Sequence, residues 1–149
     1  MPKIKISTIV RRPLSLIYEI LQDVESFPSF MKDIKEVKVI ERSDENTLIA
    51  RWQTDIDGTP VEWIEENKFD ERSKTINLKM IRGDFEKYEG KWKLFPVKNG
   101  TCLSFEAELD WGVPNFEKYI GHILEKKACR SIKSLLWLVR KKAMETIDG

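Results

Sequence analysis

Polar and apolar residues alternate with a period of two along most of this chain, and the period changes once, near its end. Ile4, Ile6, Thr8 and Val10 alternate with Lys3, Lys5, Ser7 and Ile9, which predicts a first strand. Pro13 then opens a short helix over Leu14 to Gln22, because proline suits the first helical turn. In Ser26-Phe27-Pro28-Ser29-Phe30-Met31 the proline interrupts regular structure, and the three bulky apolar residues predict a short helical plug. Lys35 to Arg42 and Leu48 to Ile56 read as the second and third strands, followed by a turn at Asp57-Gly58. Val61, Trp63, Glu65, Asn67 and Phe69 share one face of a fourth strand, and Ile76, Leu78, Met80 and Arg82 one face of a fifth. Tyr88, Gly90, Trp92 and Leu94 do so on a sixth, Asn99-Gly100 makes a further turn, and Leu103, Phe105, Ala107, Leu109 and Trp111 line a seventh. Gly112-Val113-Pro114 ends it.

From about Asn115 to Thr146 the spacing becomes three and four. Ile120, Ile123, Leu124, Ala128, Ile132, Leu135, Leu136, Val139 and Ala143 form one apolar stripe of a long helix, with Lys126, Lys127, Arg130, Lys133, Arg140, Lys141 and Lys142 mostly off it. That stripe must be buried, and the partner available is the antiparallel meander before it, apolar on one face and rich in Lys and Glu on the other. The expected architecture is α+β: a curved antiparallel sheet of about seven strands around one C-terminal helix, with two short helices after the first strand. A single domain over 1–149 is expected, since the chain shows no repeat, linker or low-complexity segment.

Composition narrows the function classes. Hydrophobic residues make up 41% and aromatics 10%, which suits a packed domain. Charged residues make up 34% and balance to +1, unlike a dedicated nucleic-acid binder, although the last helix carries a local basic cluster. No apolar run has membrane-spanning length, so no transmembrane segment is expected. The start, Met-Pro-Lys-Ile-Lys-Ile, lacks an apolar signal core, so a cytoplasmic location is expected. Cys102 and Cys129 are isolated thiols with neither metal-ligand spacing nor a disulfide framework. No metal, no cofactor and no DNA partner is implied.

The inward faces carry the candidate chemistry. In the simplest register Gly90 faces Ala107 on one side and Met80 on the other; these small residues leave room, which either side chains of the last helix fill or a ligand occupies. Glu65, Asn67 and Arg82 fall on the apolar face by parity, with Arg82 opposite Trp63 and diagonal to Glu65. That arrangement suits either polar contacts inside an apolar pocket or a salt bridge at the open end of the sheet. A one-residue bulge would turn such side chains outward. His122 is the single histidine, and no Gly-x-Ser-x-Gly elbow accompanies it, which argues against a nucleophilic triad. Cys129 lies beside the helical stripe and reads as core, Cys102 on the outward face of its strand. Glu65-Glu66 and Asp70-Glu71 read as strand edge and turn.

This layout resembles the helix-grip fold of the START-like (SRPBCC) superfamily. Ile76-Asn-Leu-Lys-Met80, then Gly83-Asp84-Phe85, then Tyr88-Glu89-Gly90-Lys91-Trp92-Lys93-Leu94 is similar to its polyketide cyclase and coenzyme Q-binding group, which shows a Gly-x-Phe turn and then Gly-x-Trp in the next strand. Asp23-Val24-Glu25-Ser26-Phe27-Pro28-Ser29-Phe30-Met31 matches that group's aromatic-Pro-x-Phe plug after the first helix. The resemblance implies an apolar cavity between sheet and helix, and ligands such as polyketides, prenylated quinones or lipids. The group includes aromatase/cyclases, quinone chaperones and a ribosome-association toxin branch. In the aromatase/cyclases an Arg projects into the pocket from the strand that begins with Trp; the matching position is Asn67, which cannot supply a fixed positive charge.

The expectation is therefore a non-catalytic carrier or chaperone for a hydrophobic small molecule, with a cyclase, aromatase or dehydratase as the alternative and a ribosome-associating module as a third reading. The expected pocket comprises Trp52, Trp63, Met80, Tyr88, Trp92, Phe105, Ile132 and Leu136, with Glu65, Asn67 and Arg82 as polar contacts and an entrance at Phe27, Phe30 and Met31. Were the protein an enzyme, Arg82, Tyr88 and Glu65 would be its acid–base candidates.

Overall fold

The computed structural model of the protein describes residues 3–56, 58–110 and 118–146; the side chains of 56, 118–125 and 128 are outside the description. Trp111, the expected helix start at Asn115 and the side chain of His122 therefore lie outside the described residues. The elements follow in the order β1 (Lys3–Val10), α1 (Leu14–Gln22), a 3-10 helix (Val24–Ser29), β2 (Ile34–Asp44), β3 (Thr47–Ile56), β4 (Thr59–Asp70), β5 (Thr75–Gly83), β6 (Lys87–Val97), β7 (Gly100–Asp110) and α2 (Lys118–Glu145). All seven strands form one antiparallel sheet in the order β1-β7-β6-β5-β4-β3-β2. This is the helix-grip architecture: each strand pairs with its chain neighbour except β1, which closes onto β7.

Period-two burial places one face of each strand inside. Trp63, Glu65 and Asn67 are buried on β4, and Leu103, Phe105, Ala107 and Leu109 on β7. Across this face lies α2, burying Ile132, Leu136, Val139 and Ala143 at the three- and four-residue spacing of one helical stripe. Two arginines fasten it. Arg12 donates from Nε to the Ala143 carbonyl at 3.1 Å and from Nη2 to the Thr146 carbonyl at 2.6 Å, placing a cation where the helix dipole is negative. Arg140 donates to the Ile9 carbonyl on the edge strand β1 at 3.2 Å.

The register of β5 departs from the simplest pairing, and two expectations change with it. Ile64 pairs with Arg82 but Glu65 pairs with Met80, so Ile81 is an extra residue and β5 bulges there. The bulge reverses the parity beyond Met80. Arg82 is exposed on the outer face, and Gly83, not Arg82, sits opposite Trp63. Gly90 does face Ala107, but its other neighbour is Leu78 in place of Met80. Beyond Lys79 no pairing joins β5 to β6, and the Gly83-Asp84-Phe85 turn closes the gap. Asp84 accepts the Glu62 amide at 2.8 Å through its carboxylate and returns its own amide to the Glu62 carbonyl at 3.0 Å, while Phe85 turns inward and is buried.

Gly83 is the one residue that this closure admits. A Cβ there would stand 2.3 Å from Trp63 Cβ and 2.6 Å from its Cα, distances that no rotamer change relieves. We expect Gly83→Ala to lower the unfolding free energy by about 2–3 kcal/mol, an overpacking cost, measured by urea denaturation; an unchanged midpoint would show that the β4–β5 approach is not this close.

Candidate functional site

Three aromatic strand residues, one plug residue and one turn residue build the wall of the site. Trp52 on β3 and Trp63 on β4 are direct cross-strand partners. Their rings stack with centroids 5.7 Å apart and planes 7° from parallel. Phe27, from the 3-10 helix, meets Trp52 edge-on at 5.7 Å. At the other end, Tyr88 from β6 meets Trp63 at 5.7 Å and Phe85 meets it at 5.4 Å. The rings form a continuous wall from the plug to the bulge, and beside it lies a cavity of about 110 Å³ between sheet and α2. Apolar side chains from every layer complete the lining, including Leu21 of α1, Leu78 of β5, Leu109 of β7, and Ile132 and Leu135 of α2. Asp33, Asp55, Ser131 and Ser134 also line it and are exposed or half-buried, so the cavity meets solvent between the plug, the end of β3 and α2.

Of the three carboxyl groups among the described lining residues, one is fully buried. Glu65 is 1% exposed. The Trp63 indole donates to its Oε1 at 2.6 Å, and the Asn67 amide donates to its Oε2 at 2.8 Å. All three residues lie on the inward face of β4, two positions apart, so the pleat itself aligns donor, acceptor and donor. No Lys, Arg or His is among the cavity's described lining residues. Burial without a cation pushes the Glu65 pKa up to about 7, and the two N–H donors only partly oppose that shift. Tyr88 is pushed well above the ordinary phenol range by its own burial and then by the Glu65 charge. At neutral pH the site therefore holds a neutral phenol and a carboxyl poised near half-ionisation.

Of the residues singled out in the sequence, Trp52, Trp63, Glu65, Asn67, Tyr88, Trp92 and Ile132 line this cavity, together with Phe27 and Met31. Phe105 is fully buried behind the wall, packed on Trp92 at 4.6 Å. Leu136 is buried toward β1, beside Ile6 and Thr8. Met80 is half-buried where the strand bulges, Phe30 packs outside Phe27 at 5.7 Å, and Arg82 faces away for the reason given above. Glu65 is not at a strand edge, because β4 runs between β3 and β5; Glu66, its outward neighbour, pairs with Lys68 at 3.6 Å. Phe85 is the wall residue that the strand pattern misses: its side chain enters from a turn, where parity has no say. Among the described residues no group of His, Cys, Asp and Glu could hold a metal ion.

This architecture has known relatives. Residues 10–135 match the family described as polyketide cyclase / dehydrase and lipid transport. The chain belongs to that family. A family relative, the ribosome association toxin RatA of Escherichia coli K12, is 21% identical over 135 residues, which are 90% of this chain and 84% of that protein. Among solved structures, TTHA0849 from Thermus thermophilus superposes with a TM-score of 0.89 at 22% identity, covering 96% of this chain and 97% of its own. The Zhui aromatase/cyclase from Streptomyces sp. R1128 gives 0.85 at 16% identity, covering 99% and 96%. A START superfamily protein from Mycobacterium smegmatis gives 0.79 at 19%, covering 96% and 97%. These likenesses establish the START-like fold. No helix among the described residues is long and apolar enough to cross a membrane.

The buried carboxyl makes stability depend on pH. Folded Glu65 keeps its proton to about pH 7, whereas an unperturbed glutamate loses it near 4.5. Between those values the native state binds more protons than the unfolded chain, so its stability falls as pH rises, by about 3 kcal/mol across the window. Glu65→Gln, whose oxygen still accepts one N–H, is expected to match wild type near pH 4.5 and to exceed it by roughly that amount at pH 8. Urea unfolding across this range checks it; parallel slopes for the two proteins would mean that Glu65 is not the titrating group.

Proposed function

We propose that this protein binds a hydrophobic small molecule between its sheet and α2, as a non-catalytic carrier or chaperone. The observation that carries this reading is the apolar, aromatic-walled cavity beside Trp52 and Trp63. Left dry, a space of 110 Å³ costs on the order of 2–3 kcal/mol, a penalty that an apolar occupant removes. With the plug in place the cavity has room for about one ring system. A longer polyketide, prenylquinone or lipid-like chain enters if the segment from Val24 to Met31 moves aside, with Phe27 and Met31 as the entrance and Phe30 its outer cover. The family's description, which names both cyclase/dehydrase and lipid transport, is compatible with either carrier or enzyme. The absence of any described cationic lining residue favours the carrier. Asn67 occupies the position where the aromatase/cyclase resemblance would put an Arg, and Arg82, the one cation among the acid–base candidates, is on the outer face and cannot polarise a ketone in the cavity.

Native mass spectrometry of wild-type protein is expected to reveal a non-covalent small-molecule adduct, or to form one with added quinone or lipid. Ile132→Trp, which pushes an indole into the cavity, is expected to reduce that adduct at least about tenfold while shifting the melting temperature by only a few degrees. A wild-type protein that takes up no apolar molecule, or a variant that binds as well, would end the carrier reading.

A second reading rests on a different surface. Lys126, Arg130, Lys133 and Lys141 are exposed along α2 beside Trp137, which is 60% exposed with Arg140 over its ring at 5.2 Å. Together with the similarity to RatA, this supports a contact with ribosomal RNA. Co-sedimentation with ribosomal subunits that disappears between about 50 and 200 mM salt is the expected outcome; no co-sedimentation at the lower concentration would remove this reading.

A further inference from the structure

The two stacked indoles are not equivalent. Trp63 spends its N–H on Glu65, two residues along the same strand. The corresponding inward neighbours of Trp52 on β3 are Ala50 and Thr54. Alanine has no acceptor to offer. The Thr54 hydroxyl donates to the Val61 carbonyl at 3.3 Å, and its oxygen accepts nothing from the indole. Trp52 is 6% exposed, and its Nε1 is buried with no hydrogen-bond partner among the described residues. Three residues further along β3, Asp55 Oδ1 is likewise buried and unpartnered, and both residues line the cavity. An unmet buried donor costs about 1–3 kcal/mol, so native proteins rarely keep one without a use for it.

We propose that the Trp52 indole N–H is the donor that orients the ligand, and that the ligand is an uncharged aromatic or polycyclic molecule carrying a hydrogen-bond acceptor such as a ketone. This rests on the carrier reading above and names the chemistry of its ligand. Three features select that chemistry. The stacked rings of Trp52 and Trp63 present flat walls to a flat ligand. The lining offers a buried carboxyl at Glu65, two more at Asp33 and Asp55 where the cavity meets solvent and, among the described residues, no cation, so an anionic ligand such as a fatty acid meets like charge and no counter-charge. A hydrocarbon of the same shape leaves the N–H unmet, and a site with a spare buried donor discriminates against a ligand that cannot use it. In the closed structure Nε1 is sealed from a water-sized sphere. Phe27 and Trp63 are the rings packed against that indole, so the N–H is reached when the plug lifts or the wall yields to the ligand.

The test uses three probes of matched shape: 1-acetonaphthone, 1-ethylnaphthalene and 1-naphthoate, titrated at pH 8 by tryptophan fluorescence. Wild type is expected to bind the ketone about 5- to 10-fold more tightly than the hydrocarbon, and the carboxylate at least about tenfold more weakly than the ketone. Trp52→Phe keeps an aromatic ring and removes the N–H; it is expected to bring the ketone-to-hydrocarbon affinity ratio down to about one. A second measurement needs no variant: one indole N–H resonance in the proton–nitrogen spectrum of wild type should move downfield with the ketone and not with the hydrocarbon. Equal loss of both probes in the variant, no loss of either, no ketone-specific indole shift, or carboxylate binding as tight as ketone binding would each overturn the assignment while leaving a working apolar cavity. Failure of wild type to bind any of the three would bring down the carrier reading itself.

Discussion

One helix cannot cover the concave side of a seven-stranded sheet. Six inter-strand steps of ~4.8 Å make a surface about 29 Å wide, and a helix with its side chains spans roughly 10–12 Å. The sheet therefore curls around α2, and what the helix does not reach must be filled by something else. In this protein α1, the Phe27 plug and the ladder of aromatic rings take up most of the remainder. The cavity is what they leave. The site is in this sense a consequence of the mismatch between one cylinder and one broad sheet.

Much of this was legible in the sequence because it follows from period. Alternation in β4 places Trp63, Glu65 and Asn67 on one inward face, and they are buried there; the stripe through Ile132, Leu136, Val139 and Ala143 marks the covered side of α2. What parity could not show is the residue count within a strand. Ile81 follows Met80 and breaks the apolar-polar alternation, a local mark that parity counting passes over, and it sends Arg82 outward and brings Gly83 onto Trp63. Phe85 joins the wall from a turn, where neither a two- nor a four-residue rule applies. Leu136 is buried, as its place in the stripe implies, but the stripe of a helix does not say which of its buried side chains meets β1 and which meets open space.

The polar part of the site shows the same separation of levels. A glutamate two positions after Trp63 on the apolar face of a strand signals an inward carboxyl, and β4 supplies its own donors through the pleat. The electrostatic character comes from what tertiary structure withholds. Turned inward, Arg82 would have stood near Glu65 and held it ionised. Turned outward, it leaves a carboxyl whose charge is disfavoured by burial and opposed by no cation among the described lining residues. A single extra residue in β5 thus bears on which kind of ligand the cavity can tolerate.

The clasp between Arg140 and the Ile9 carbonyl has a further effect outside the cavity. A boundary strand such as β1 exposes unpaired backbone groups that a second polypeptide could extend. A guanidinium already seated on that row occupies an acceptor that such an incoming strand would require. The same contact that holds α2 in place thereby guards one border of the sheet against self-association, and loosening α2 to enlarge the interior would also unguard that border.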